Sequence, residues 1–404
     1  MAISSQRVTP TCAHRLLYAA AGSLLFERIA VRGLAQAKDA PGPRLFVALH
    51  RNGAIDSIGY LRVAPRAAYV VSAQLHRSMI SRAIFPGIAL ARQKDRARGM
   101  EADNHAALAA CVDHLCAGGD LFVFPEGTSA LGASHLPLRP GAARIAAAVL
   151  ARGGPLSIVP LAIFYERACA WQSRAEVAVG TVVRFSAGSR ASEDALHRVI
   201  TDGLRAVGVN VDSEQALRDR EVLAFAASLD GRTSYGQCLK RLEAALPASL
   251  QARLRELRRS SSEQRAWSFQ GLPLVAPGAG IRELMQLLGL LPLVLAALVL
   301  NLPPLAAAAL AGRRLADDRN VITFWRAAVG FPAALIWAIA MLIGLSRLSH
   351  GVAFAYAAVS LAGVRAVRAA KLRLVGLYNA CCAAPVRVPM AALLRDLAGY
   401  LHEA

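Results

Sequence analysis

His50 and Asp56 are the residues of this chain best suited to moving a proton. An apolar run, Leu45–Leu49, leads straight into the histidine, a short Asn-Gly loop follows, and the aspartate opens a helical stretch. An imidazole at a strand end with a carboxylate a few residues on suits general-base chemistry. The carboxylate fixes the tautomer and stabilises the imidazolium formed when the ring takes a proton. Taken alone, the pair also fits an ordinary loop histidine beside a helix-capping aspartate. A second apolar run leads into Phe124-Pro125-Glu126-Gly127-Thr128-Ser129. Its turn suits backbone N–H groups presented to an oxyanion, with Glu126 on a substrate hydroxyl. Between them, Gly87–Arg92 ends in an arginine suited to bidentate phosphate binding. Lys94, Arg96 and Arg98 make this the most cationic part of the region.

Elements that would position these residues can be read around them. Strands are expected at Leu45–Leu49, Ala68–Ser72, Leu121–Phe124, Ser157–Phe164 and Glu176–Phe185. Helices are expected at Asp56–Val63, His76–Ala83, Ala102–Cys116, Gly141–Arg152 and Ser192–Val207. Such alternation predicts an α/β domain. Both the His50 and the Glu126 loops then leave strand ends.

In this order, the blocks resemble the glycerolipid acyltransferases, the family of 1-acylglycerol-3-phosphate and glycerol-3-phosphate acyltransferases. The pattern is His…Asp, then Gly…Arg, then Phe-Pro-Glu-Gly-Thr, then an apolar strand with proline, here Ile158-Val159-Pro160-Leu161-Ala162. The resemblance covers about residues 15–210 and implies a mixed sheet flanked by helices. His50 and Asp56 enclose five residues where the usual block has four. In this the chain is similar to the fungal glycerol-3-phosphate/dihydroxyacetone-phosphate branch, with Asn52 at that branch's asparagine and membrane spans after the catalytic domain. Gly53 is suited to the extra turn.

The resemblance implies that His50 deprotonates an acceptor hydroxyl while Asp56 orients it, and that the alkoxide attacks an acyl thioester of coenzyme A or acyl carrier protein. It implies Arg92, Glu126 and Gly127 on the acceptor's phosphate and glycerol portion, with Thr128, Ser129, Arg139 and Pro160 completing the binding blocks. For Arg139, a surface arginine beside a helix start is the alternative. No metal or cofactor is required. The acceptor would be glycerol-3-phosphate or a lysophospholipid. A lyso-aminolipid acceptor and a non-catalytic membrane-binding role are the rival readings.

Mean hydropathy of +0.40 in a 404-residue chain with net charge +19 excludes disorder and small disulfide scaffolds and points to membrane-embedded parts. Basic residues are spread along the chain with no arm or tail, which argues against nucleic acid. Four of the 46 basic residues are lysine (Lys38, Lys94, Lys240, Lys371), so the excess is arginine. Codon bias explains part of it, and attraction to anionic lipid or phosphate explains the rest. Seven scattered cysteines lack metal spacing and predict reduced thiols. Burial is expected of Cys111 and Cys116, and of Cys381-Cys382, for which S-acylation is the alternative.

Four regions follow. Residues 1–40 should hold an amphipathic helix packed on the core or lying in the membrane interface. Residues 41–212 form the acyltransferase-like α/β domain, and 213–270 a basic helical extension with Arg253, Arg255, Arg258 and Arg259 on a solvated face, a lipid-headgroup site being the alternative. Residues 271–404 are membrane-embedded with an amphipathic tail. Charge is absent from 284–312, 327–346 and 348–364. A span needs roughly 20 apolar residues, and Asn301, Pro303 and Pro304 break the first of these. Two spans with one kinked insertion, re-entrant or interfacial, are expected, three full spans being the competitor. Arginines flanking the second and third segments place the soluble parts on the cytoplasmic face of the inner membrane.

Overall fold

The computed structural model describes residues 9–76, 78–91, 104–229, 231, 233–276 and 280–403. The chain divides into two compact units: Met1–Gly22, Ile29–Phe164 and Ala175–Asn210 form one, and Ser23–Arg28, Tyr165–Arg174 and Val211–Ala404 form the other.

Strands β1 (Phe26–Arg32), β2 (Arg44–Ala48), β3 (Ala68–Ser72), β4 (Ile88–Leu90), β5 (Leu121–Val123), β6 (Leu156–Tyr165), β7 (Ser173–Val179) and β8 (Val183–Phe185) form one mixed sheet. Their order is β1-β7-β6-β2-β5-β3-β4, with β8 also pairing β6. β2 runs parallel to β5 and β6, β3 runs parallel to β4 and β5, and β8 is antiparallel to β6. β6 is buried along its whole length, as expected of a strand covered on both faces. Helices Asn104–Cys116, Gly141–Ala151 and Glu193–Val207 flank the sheet. Phe46, Phe122, Tyr60 and Leu45 are among the most deeply buried side chains. The fold is therefore the α/β mixed sheet with flanking helices, followed by a helical C-terminal region.

Several elements depart from the sequence reading, the unexpected strand β4 among them. The N-terminal helix, Cys12–Leu25, gives way to β1, followed by a short helix at Leu34–Lys38. The charges that interrupt apolar periodicity there pair with β7: Glu27 with Arg174 at 2.7 Å and Arg32 with Glu176 at 3.4 Å. The stretch 176–185 is two strands rather than one. At Gly180 between them, a Cβ would press on Pro160 and Val207 at 3.3 Å. The helix expected from His76 begins at Met79, capped by the Ser78 side chain.

The second unit contains helices Glu214–Ala227, Tyr235–Arg241 and Ala248–Glu263. On the last, Arg253 pairs with Asp396 and Glu256, Arg258 with Asp219, and Arg259 with Glu263. Ile281–Leu300, Arg319–Ser346 and His350–Cys382 are long and apolar enough to cross a membrane. The apolar segment expected to stop near residue 364 continues as helix to Cys382. The first segment breaks at Asn301, and Leu302–Arg314 forms a separate helix. Arg368, 4% exposed, pairs with Glu27 at 2.9 Å and Glu166 at 2.7 Å and lies over the Phe269 ring. The seven cysteines are free thiols. Cys111 is buried, but Cys116, Cys381 and Cys382 are exposed, contrary to the burial expected of them. Each of these three lies at the C-terminal end of its helix and off the packed face, which continues beside them in Leu115, Asn379 and Ala383.

Candidate active site

β2 delivers Leu49 and His50 to the end of the sheet. The Leu49 N–H donates to Leu161 O on β6 at 3.1 Å, and the Tyr60 hydroxyl donates to Leu49 O at 2.7 Å. Burial, with the nearby charges of Asp56 and Glu126 adding to it, holds the Tyr60 hydroxyl well above its ordinary range, so it remains a donor. Its ring leans on Phe122 and Phe124 at 5.2 and 5.9 Å. The strand end before His50 is thus fixed from both sides.

The five residues between His50 and Asp56 close a compact loop. Gly53 takes φ +53°, a left-handed conformation glycine adopts at little steric cost. A single 3₁₀ turn over Gly53–Ile55 then leads into the short helix Asp56–Tyr60. Asp56 is fully buried. It accepts from His50 Nδ1 at 2.9 Å, from the Arg51 N–H at 2.6 Å and from the Asn52 N–H at 3.0 Å. With Nδ1 as donor to the carboxylate, Nε2 carries the lone pair. The imidazole stacks on Phe124 at 4.0 Å and 17°, and 14% of its side chain is open to solvent. The lengthened spacing therefore forms a close His–Asp pair.

Glu126 sits otherwise than a residue facing a substrate hydroxyl would. It is 2% exposed, and its two carboxylate oxygens accept from backbone amides, His50 N–H at 2.6 Å and Leu136 N–H at 2.9 Å. Burial pushes its carboxyl above the usual carboxylate range, and the two amide donors offset part of that rise. The Ala130 N–H donates to His50 O at 3.0 Å, and Arg51 reaches Gly132 O at 2.8 Å. These contacts bind the Phe124–Gly132 segment to the loop that carries the imidazole.

Gly127 adopts φ +70°, and its N–H closes a turn on Phe124 O. That amide is occupied within the turn. A Cβ at Gly127 would lie 3.2 Å from Arg139 Nε and 3.3 Å from its Cδ. The Arg139 N–H donates to Pro125 O at 2.8 Å, so this exposed arginine lies directly against the Glu126–Gly127 turn. Thr128 is exposed beside it and Ser129 is partly buried. Pro160 lies in the core of β6, paired in register with Val47 and close-packed on Gly203. It backs the strand that carries His50. Arg92, with Lys94, Arg96 and Arg98, lies outside the described residues. The preceding residue, Ala91, is anchored by a pair of 2.9 Å hydrogen bonds with the Asn104 side chain.

The structure thus brings together His50, Asp56, Glu126, Gly127 and Arg139. Tyr60, Leu136 and the Phe124 ring also support the site, and the sequence reading assigned them no role. Phe124 was visible only as a letter of its block. The other two depend on contacts across the fold that no local spacing encodes.

No curated protein matches the chain. Among solved structures it is similar to the crystal structure of the 1-acyl-sn-glycerophosphate (LPA) acyltransferase PlsC from Thermotoga maritima. The identity is 19%, the coverage 48% of this chain and 80% of that one, and the TM-score 0.33. Residues 28–164 match the family model described as Acyltransferase, a span that holds His50, Asp56, Arg92, Glu126, Gly127, Thr128, Arg139 and Pro160.

Proposed function

We propose that this protein is a membrane-bound O-acyltransferase of phospholipid synthesis. It transfers a fatty acyl group from a coenzyme A or acyl carrier protein thioester to glycerol-3-phosphate or a lysophospholipid. The observation that carries the reading is the His50 Nδ1 to Asp56 contact of 2.9 Å, within the span that matches the acyltransferase model. His50 Nε2 takes the proton of the acceptor hydroxyl, and Asp56 supports the imidazolium. The alkoxide oxygen forms a bond to the thioester carbonyl, giving a tetrahedral oxyanion. Collapse breaks the C–S bond and expels a thiolate, which recovers the proton from His50. Arg92 and Arg139 are assigned to the acceptor's phosphate, with Thr128 as a hydroxyl contact. Glu126 and Pro160 act behind them, through the main chain of His50 and the packing of β2. The apolar helices hold the protein in the membrane where its product resides.

The test is thiol release from acyl-CoA and acyl carrier protein by the purified protein. Glycerol-3-phosphate and 1-acylglycerol-3-phosphate are supplied in turn, and products are read by lipid mass spectrometry. His50→Ala should abolish release while keeping the wild-type elution profile. Full release in that variant would remove the dyad, and absence of ester product with every acceptor would remove the activity.

A further inference from the structure

The first apolar segment of the C-terminal region does not run in one direction. Ile281–Leu300 packs antiparallel on His350–Cys382, the residue number rising on one helix as it falls on the other. A Cβ at Gly280 would lie 3.1 Å from Leu377, Arg373 donates to Gln286 at 2.6 Å, and a Cβ at Gly363 would collide with Ala297. Leu302–Arg314 packs antiparallel on Ile322–Ser346. A Cβ at Gly330 would approach Ala308 to 2.8 Å, and one at Gly312 would approach Arg326 to 2.7 Å. The two supporting helices are themselves joined by a turn at residues 347–349. Both arms therefore lead away from that turn, toward the arginine-bearing ends of the helices they lie on. Ile281 and Arg314 both lie on the side of Asn301 away from that turn, about 30 and 20 Å along their arms, and Asn301 is the tip between them.

The tip is built for a place without water. Asn301 Nδ2 donates to Ser360 Oγ and to Ala297 O, both at 2.9 Å, and the Tyr356 hydroxyl donates to Asn301 Oδ1 at 3.0 Å. Trp337 Nε1 donates to Leu300 O at 2.8 Å, capping a carbonyl in the last turn before the helix break. At an aqueous surface water would satisfy these groups. In hydrocarbon the protein must do so. Tyr356 and Ser360 lie six and ten residues from His350, or about 9–15 Å along the helix. Beyond the tip, Leu348 and Phe354 are 78% and 76% exposed and apolar. The returning arm, Leu302–Arg314, is about 20 Å long, short of a hydrocarbon core of about 30 Å, whereas the entering arm, Ile281–Leu300, is about 30 Å long.

We infer that Ile281–Leu300 and Leu302–Arg314 form one re-entrant hairpin, which enters and leaves the bilayer on the same face and holds its polar tip inside the membrane. The two helices Ile322–Ser346 and His350–Cys382 then make the crossing, and residues 347–349 alone reach the far face. The inference rests on the membrane reading of these helices and is independent of acyl transfer.

It is tested on the unaltered protein in sealed vesicles of either orientation, by trypsin and mass spectrometry. Cleavage after Arg282 and after Arg313, Arg314 or Arg319 should occur on one vesicle face, and cleavage after Arg347 only on the other. Cleavage of the 313–319 sites from the face that exposes Arg347 would overturn the hairpin. Where a bond resists protease, the same comparison is read by a membrane-impermeant thiol reagent. It uses Arg282→Cys, Arg314→Cys and Leu348→Cys in a background with the seven cysteines replaced by serine. Depth is read with Trp337 as sole tryptophan, the other three changed to Phe. Lipids brominated at mid-chain should quench it most. Strongest quenching by bromine near the headgroup would place the tip at the interface and refute the inference.

Discussion

The Glu126 carboxylate accepts the main-chain N–H of His50 at 2.6 Å, across 76 residues of sequence. The proposed base is therefore held by its backbone as well as by Asp56 on its ring. Glu126→Gln keeps the shape, but its NH₂ must face one of two amide donors. Stability should fall by about 1–3 kcal/mol, read by denaturant midpoint. The kcat should fall more than KM changes, because what is lost is the placing of His50 rather than a substrate contact.

Burial raises the Glu126 and Glu166 carboxyls above their ordinary range. The folded chain then holds these protons to higher pH than the unfolded chain does. Their contribution to stability is fully present below the unfolded value of about 4.3 and is lost as pH rises through the folded value. Unfolding free energies of wild type and the Glu126→Gln/Glu166→Gln variant, measured from pH 4 to 7, should converge as pH rises. Parallel curves would clear both residues of this role.

Asp56→Asn should lower thiol release by about 10²–10⁴-fold. The amide cannot accept from His50 Nδ1 and the Arg51 and Asn52 amides as the carboxylate does. Adding Asp56→Asn to His50→Ala should cost little more than His50→Ala alone, since the two side chains act as one unit.

Gly127 and Arg139 are predicted to act on the acceptor rather than the donor. Gly127→Ala forces a Cβ into the left-handed region, at about 1–2 kcal/mol, and pushes on Arg139. Arg139→Ala should raise KM for a phosphorylated acceptor about tenfold, about 1.4 kcal/mol, and leave KM for the acyl thioester unchanged. An equal rise in both constants would count against the assignment.

Arg368→Met leaves Glu27 and Glu166 facing each other without their shared cation. A loss of about 3–5 kcal/mol is expected in chemical denaturation. Glu166→Gln in the same chain should recover part of it.

Local pattern made much of this protein legible. Ala68–Ser72 and the strand ends before His50 and Phe124 are apolar runs bounded by turn residues, and the structure has strands there. The break at Asn301 was readable from the two prolines after it. What escaped were contacts with partners far along the chain. β1 carries Glu27, Arg28 and Arg32, charges unlike an apolar strand, and two of their partners, Arg174 and Glu176, come more than 140 residues later. Nothing near Glu126 in the sequence announces that its carboxylate accepts from the His50 and Leu136 amides. Cys381 and Cys382 end an apolar helix but point away from its packed face, where Asn379 and Ala383 are buried.

The place of β5 between β2 and β3 has a consequence for synthesis. β2 and β3 leave the ribosome first, yet the strand that separates them, and the glutamate that follows it, arrive some fifty residues after β3 ends. Until then His50 has its aspartate but not the anchor on its own amide. The loop that carries His50 can reach its final form only once the centre of the sheet is complete. A chain truncated before residue 126 would accordingly carry both members of the dyad and remain latent.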